Sequence, residues 1–503
     1  MLDQFAKDLN DIVWSNALIA LCLLTGLYFS LRMRFVQVRL FGDMLRQMRA
    51  GESSASGVSS FQALAMSLAG RVGTGNIAGV ATAIAFGGPG AVFWMWVVAF
   101  LGASSSFVES TLGQIYKERD SGGEYRGGPA FYIEKGLGIR WYALLFALVT
   151  VVAMGILLPG IQSNGITAAA DHAWGLDPRI ATIGIIIALA FIVVGGVKRI
   201  AIFASLVVPF MAVLYIIMTT VVLVLNVSTI PEVFSLIVRS AFGLDAGFGA
   251  ILGLAVQWGV KRGIYSNEAG QGTGPHAAAA AEVSHPATQG LVQAFAVYVD
   301  TLLICSATAF MILSTGMYQV YSGGSTDSAV IYTGNQAIEG ATVGPAYTQA
   351  ALDTVHNGLG GPFVAIALFF FAFTTIVAYY YMAETNLIYL TRGMSARSRD
   401  VALRLLQLAL LITTAVGALR PSEAAWTVGD IGVGLMAWLN IIAILLLQKP
   451  ALLALKDYER QHKEGLDPQF DPRPLGIKNA DFWVERAQAR EVGAGTRVGD
   501  EQG

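Results

Sequence analysis

Long apolar runs separated by short charged stretches dominate this chain, and their length identifies them. A helix needs about 20 predominantly apolar residues to cross a bilayer core. Runs of that kind lie near 12–31, 60–87, 90–116, 141–164, 179–197, 200–225, 246–270, 288–318, 361–391, 401–419 and 424–448, which predicts about 11 transmembrane helices in an all-α integral membrane protein. The first run follows Asp3, Asp8 and Asp11 and continues straight into Arg32 and Arg34. Those are the flanks of a retained span rather than of a cleaved signal peptide.

Two runs are not plain. The second holds Gly70-Arg71-Val72-Gly73-Thr74-Gly75-Asn76-Ile77-Ala78-Gly79 in mid-crossing, and the seventh holds Gln257-Trp258-Gly259-Val260-Lys261-Arg262-Gly263-Ile264-Tyr265-Ser266-Asn267-Glu268-Ala269-Gly270-Gln271-Gly272-Thr273-Gly274-Pro275. Lipid cannot satisfy free N–H and C=O groups, so irregular backbone at that depth lines a cavity or is buried in protein. Close helix packing alone would explain Gly87, Gly88 and Gly102, but it needs no Arg, Lys, Asn or Glu beside the glycines. Two broken helices five spans apart predict two five-helix repeats of inverted topology. The chain then divides into 1–59 (an extra helix and a basic loop), 60–225 (first repeat), 226–448 (second repeat, with a long extracellular loop 319–360) and 449–503 (a charged tail).

Composition narrows the class. Only 13% of residues are charged and 55% are apolar, whereas soluble domains carry about 25% charge. Lys plus Arg total 32 against 34 for Asp plus Glu, so no basic excess points to nucleic acid. Cys22 and Cys305 both sit in apolar runs and give no disulfide framework or zinc spacing. Lys and Arg concentrate in alternate connections (32–49, 117–140, 198–199, 392–404) and in the tail. That bias places the N-terminus outside and the C-terminus in the cytoplasm. The tail reads as solvated, and 32–56 as an amphipathic helix on the inner surface.

The run Gly87-Gly88-Pro89-Gly90-Ala91-Val92-Phe93-Trp94-Met95-Trp96, continuing to Gly102, resembles the signature of the alanine or glycine:cation symporter family. The stretches Gly70–Gly79 and Lys261–Gly270, and Phe371-Ala372-Phe373-Thr374-Thr375-Ile376 with Tyr379-Tyr380-Tyr381, are similar to other blocks of that family. The resemblance implies a leucine-transporter-like five-plus-five fold in the plasma (inner) membrane. It also implies Na+-driven uptake of a small neutral amino acid such as alanine or glycine. The chain departs from the family at Gln271-Gly272-Thr273-Gly274-Pro275, where Met-Gly-Ser-Ala-Pro is frequent, and at Ala378-Tyr379, where Gly-Trp is common.

A zwitterion needs N–H donors for its carboxylate and acceptors for its ammonium, and the ends of broken helices offer both. The carboxylate is expected at the backbone of Gly73, Thr74 and Gly75, helped by the Thr74 hydroxyl. The ammonium is expected at carbonyls near Gly259 to Gly263. Gln162 and Asn164 are candidate wall residues, with a helix-to-helix hydrogen bond the alternative for Gln162. Trp258 is either a cap or a packing aromatic. By resemblance, sodium is expected between the Thr374 and Thr375 hydroxyls and the carbonyls of Gly70 and Val72, unless those threonines back-bond to their own helix. Asn76 serves a second ion or caps the half-helix.

Ionisable groups at membrane depth need partners. Asp300 is a cation ligand, a proton carrier or the counter-ion of Arg71 or Lys261, and ion pairing is the favoured expectation. Glu268 is expected to latch onto a basic residue. The chain lacks H-E-x-x-H and G-x-S-x-G, so an enzyme is not the expectation. Proton-coupled transport of another small solute, or a non-transporting sensor, is the alternative.

Overall fold

The structure is a computed structural model that describes residues 2–49, 53, 54, 56–193, 196–245, 247–335, 338 and 341–500. The end of the run at 179–197 falls partly on Val194 and Gly195, outside the described residues, as do residues 50–52 and 55 of the stretch read as amphipathic. Most of the described chain is helical. Eight helices are long and apolar enough to cross a membrane: Gln4–Arg32, Gly90–Ile115, Arg140–Trp174, Arg199–Leu225, Pro286–Thr315, Gly360–Leu390, Ala396–Ala418 and Ser422–Leu446. Gly75–Gly87 and Pro178–Val193 are apolar but shorter.

The two irregular runs are interrupted helices. Ser60–Arg71 stops, Val72 adopts an extended conformation, and the chain resumes as a π-helical turn over Gly75–Gly79 that continues into Val80–Gly87. Leu252–Asn267 stops at Glu268, and the chain resumes as Gly274–Ala280. Gly75–Gly87 packs on Leu252–Asn267, and Ser60–Arg71 packs on Gly274–Ala280. The two interrupted helices therefore run antiparallel, with their breaks side by side. At one end they are tied together by a parallel bridge, in which Val58 N–H donates to the Ala280 carbonyl at 2.9 Å and Glu282 N–H to the Val58 carbonyl at 2.8 Å.

Several segments differ from the sequence expectation. The first run lies mostly on Asn16–Arg32, and a helix Leu2–Val13 precedes it across a short interruption at Trp14 and Ser15. The stretch 32–56 holds two short helices, Val36–Arg39 and Phe41–Gln47, rather than one. The long loop after residue 318 folds into an antiparallel pair, Gln319–Tyr321 with Val330–Thr333, and a helix Pro345–Asp353. The tail is not simply solvated. Its helices Gln448–Lys463 and Asp481–Asp500 bracket a docked segment, and Phe470 in that segment and Trp483 in the second helix are fully buried. Trp483 donates to the Gln114 carbonyl at 2.8 Å, and Phe470 N–H to the Ser284 carbonyl at 3.1 Å. Two aromatic residues in a charged tail supply enough apolar surface to dock it.

Candidate functional site

The site forms where the breaks meet. On one side of the first break, Ser60–Arg71 ends with carbonyls that have no helical partner. The Thr375 hydroxyl reaches them from the Gly360–Leu390 helix, lying 2.9 Å from the Ala69 carbonyl, 3.3 Å from that of Val72 and 2.9 Å from that of Phe371. One hydroxyl proton cannot serve three carbonyls, so this is a buried cluster rich in oxygen lone pairs. The Thr374 hydroxyl instead donates to Phe371 on its own helix, at 2.9 Å. Val72 and Thr375 thus come together, while Ala69 rather than Gly70 supplies the second carbonyl bonded to Thr375. Gly70 packs against Met382 and Glu268, where a Cβ would lie 3.1 Å from the Met382 methyl and 3.5 Å from the Glu268 carboxylate.

On the other side of the break the donors converge. Thr74 N–H and the Thr74 hydroxyl donate to the amide oxygen of Gln162, at 3.1 and 3.2 Å. The Gln162 amide N–H donates in turn to the Tyr265 hydroxyl at 3.1 Å. Gly73 N–H is capped by the Asn76 side-chain oxygen at 2.8 Å. Gly73 leaves no room for a side chain, since a Cβ there would sit 2.6 Å from the Thr375 hydroxyl and 2.8 Å from the Gln162 oxygen. Gly75 stacks under Tyr265, with its added Cβ 3.0 Å from the ring. Asn164 turns away, to the Gly417 and Arg420 carbonyls.

The free carbonyls expected near Gly259 to Gly263 are not there, because the break lies later in the run 257–275. Both glycines sit inside the continuous Leu252–Asn267 helix, pressed on Gly90–Ile115. An added Cβ at Gly259 would fall 2.5 Å from the Ala91 carbonyl, and one at Gly263 would strike Val98. Their spacing is the small-xxx-small pattern of close helix packing. The break occupies 268–273, where Gly270 and Gly272 take φ of +80° and +88°, conformations glycine adopts without strain. Glu109 holds this loop, accepting from the N–H groups of Gly270 at 3.2 Å and Gly272 at 3.1 Å and from the Asn440 amide at 2.6 Å.

Asp300 is buried between the breaks, on a π-helical stretch Tyr298–Cys305 of the eighth run. Its carboxylate accepts from Asn76 at 2.6 Å, Ser266 at 2.8 Å and Thr301 at 2.7 Å. The expected ion pair is not formed. Arg71 donates to the Gln293 carbonyl at 3.1 Å and faces the Ser106 hydroxyl at 3.4 Å, while Lys261 pairs with Asp430 at 2.9 Å. Arg262 completes that group with a bidentate contact to Asp430, at 2.9 and 3.0 Å. One carboxylate thus pairs with both neighbouring cations, while Asp300 is left to hydroxyls and an amide. Glu268 forms no latch. It is buried against Gly70, makes no salt bridge among the described residues, and has a carboxylate oxygen without a hydrogen-bond partner.

Asp430, Tyr265, Ser266 and Asn440 do not stand out in the sequence analysis. Asp430 alone carried a signal, a lone carboxylate within the apolar run 424–448. Above the breaks opens a cavity of about 980 Å³ lined by Trp258, Lys261, Arg262, Tyr321, Trp426 and Asp430. The Trp258 ring lies 5.0 Å from that of Phe86 in a tilted contact and 5.1 Å from the Arg262 guanidinium, while Trp426 packs at 4.8 Å on Tyr265.

Eight membrane-length helices among the described residues, with two further interrupted helices around a buried polar centre beneath a wide cavity, define a multi-pass membrane protein, and the family and relatives it matches are transporters, not enzymes. The family model of the sodium:alanine symporter family matches residues 1–472, and the chain belongs to that family. It is 59% identical to a putative sodium/proton-dependent alanine carrier protein, YrbD, of Bacillus subtilis, over 95% of this chain and 97% of that protein. It is 51% identical to a sodium/proton-dependent alanine carrier protein of a Bacillus species, over 88% of this chain and 97% of that one. Among solved structures, a Na+-coupled sialic acid symporter in a substrate-bound, outward-open state aligns with a TM-score of 0.44 and 16% identity, over 89% of this chain and 86% of that one.

Proposed function

We propose that the protein is a Na+-coupled symporter that imports a small neutral amino acid, alanine or glycine, by alternating access. The observation that carries this reading is the first break itself. Its two sides present opposite chemistry, N–H and O–H donors at Thr74 and carbonyl oxygens at Ala69 and Val72 around Thr375. Donors of that kind suit a substrate carboxylate, and the oxygen cluster suits a hard cation. Sodium at Ala69, Val72 and Thr375, with Thr374 recruited by rotating its hydroxyl away from Phe371, would fix the break in its binding geometry.

In the present state the Gln162 amide oxygen occupies the donors of Thr74. The substrate carboxylate displaces it and gains charge-assisted hydrogen bonds, which are roughly twice as strong as neutral ones. The ammonium meets the terminal carbonyls of Leu252–Asn267, left without helical partners by the second break. The close approach of Gly73, Gln162 and Thr375 restricts the pocket to small side chains. The antiparallel packing of the interrupted helices supports the five-plus-five inverted repeat with about 11 spans, and the Lys and Arg bias supports an N-terminus outside and a C-terminus inside.

Proton coupling through Asp300 is a second reading, favoured by a buried carboxylate that has only neutral donors. Uptake of labelled alanine into proteoliposomes separates the two. Under an inward sodium gradient at equal pH, the first reading gives accumulation that vanishes when potassium replaces sodium. Accumulation driven by a pH gradient in the absence of sodium would favour the second.

A further inference from the structure

Far from the breaks, a separate cavity of about 510 Å³ opens where Asn16–Arg32 ends and Gln448–Lys463 begins. Five cationic side chains line it, Arg32, Arg34, Arg39, Lys449 and Lys456, against a single carboxylate, Glu459. Glu459 is already engaged, 3.2 Å from Arg34 and 2.6 Å from Arg39. Arg32, Lys449 and Lys456 have no hydrogen-bond or ion-pair partner among the described residues. Like charges gathered in one concavity repel each other, so the cluster calls for an anion from outside the chain.

The surroundings say what kind of anion. Both helices that frame the cavity are membrane-length segments at their ends, Gln4–Arg32 finishing there and Ser422–Leu446 passing into Gln448–Lys463. The Tyr28 hydroxyl ties the two together through Gln448 at 2.8 Å. Each helix leads away from the cavity with an exposed apolar stripe, Leu24, Leu27 and Leu31 on one and Ile442 and Leu446 on the other. The spacings put each set on one helix face. Cations at the level of the helix ends with apolar stripes running into the membrane match an amphiphile, not a free solute.

We propose that this cavity is a binding site for an anionic phospholipid of the inner leaflet. Its phosphate is held by Arg32, Lys449 and Lys456, and its acyl chains lie along the leucine stripe. Guanidinium offers a planar fork to phosphate oxygens and ammonium a point charge, and basic pockets beside helix ends are suited to lipid headgroups. The inference rests on the proposed topology, which puts these helix ends at the cytoplasmic surface, but not on the identity of the transported solute.

The test is native mass spectrometry of the full-length protein after reconstitution in phosphatidylcholine with a minor share of phosphatidylglycerol. Wild type retains phosphatidylglycerol in preference to phosphatidylcholine. The triple variant Arg32→Gln, Lys449→Gln, Lys456→Gln loses that preference at least about tenfold, since it removes the three cations that face the phosphate. Lys449→Arg with Lys456→Arg keeps it. Sodium-driven alanine uptake by the triple variant in pure phosphatidylcholine reports separately on folding and on the transport reading. Equal phosphatidylglycerol retention by wild type and the triple variant would overturn the proposal. So would displacement of the lipid by inorganic phosphate at matched concentration, which would make the site one for a free anion. A wild-type dimer in which the stripe is covered by a second copy and no lipid is retained would overturn it too.

Discussion

Thr74 meets Gln162 twice, through its backbone N–H at 3.1 Å and its hydroxyl at 3.2 Å, and both donate to the same amide oxygen. A neutral oxygen thereby stands where the substrate carboxylate is proposed to bind. Gln162→Glu puts a charged oxygen in that place and strengthens the competing contact by about 1 kcal/mol or more. Apparent alanine affinity should fall about tenfold, measured by radioligand binding to the purified protein at saturating sodium. Unchanged affinity would remove the carboxylate from this site.

Thr375 and Thr374 are adjacent but not equivalent. The Thr375 hydroxyl faces the carbonyls of Ala69 and Val72, whereas that of Thr374 is bonded to its own helix. Thr375→Val should raise the sodium concentration needed for half-maximal uptake about tenfold, with Thr375→Ser close to wild type. Thr374→Val should have a clearly smaller effect. Equal effects of the two valine variants would show that the sodium ligands are not those named here.

Asp430 is the shared counter-ion of Lys261 and Arg262. Asp430→Asn leaves two buried cations uncompensated, and breaking a buried pair by removing one partner costs about 3–5 kcal/mol. Thermal unfolding of the solubilised protein should move to distinctly lower temperature. Lys261→Met keeps the bidentate Arg262 contact and should be much milder. The reverse order would contradict the assignment of Asp430 as the common partner.

How far the sequence spoke can be judged at particular residues. The length of the apolar runs located the helices, because a membrane crossing constrains length more than it constrains pattern. The first break was legible, since four glycines with Arg71 and Asn76 have no packing explanation. The second was located within 257–275 but set too early in it. Gly259 and Gly263 are spaced for packing, whereas Gly270 and Gly272 make the turn, and a glycine count does not separate these two uses. The partner of Lys261 was not legible either. Choosing Asp430 over Asp300 depends on which distant helix faces it, and one sequence does not record that. The same holds for Thr375, whose contacts with Ala69 and Val72 join residues some 300 positions apart.

Trp483 anchors the tail. It is buried, donates to the Gln114 carbonyl, and with Phe482 and Tyr125 surrounds the Lys117 ammonium at 4.1 to 5.5 Å. Trp483→Ala removes a side chain whose truncation in a packed core costs about 3–5 kcal/mol. Limited trypsin digestion should then cut at Arg486 and Arg490 much faster than in wild type. An unchanged digestion rate would mean that the helix is held by its other contacts.

The central claim is that sodium and the amino acid share one break and stabilise each other there. Calorimetric titration of the purified protein with alanine, with and without sodium, tests it most directly. Coupling is reciprocal, so sodium should raise alanine affinity by the same factor by which alanine raises sodium affinity, typically 5- to 150-fold. Thr375→Val should reduce that factor. Alanine affinity identical in saturating sodium and in sodium-free potassium buffer would contradict the account.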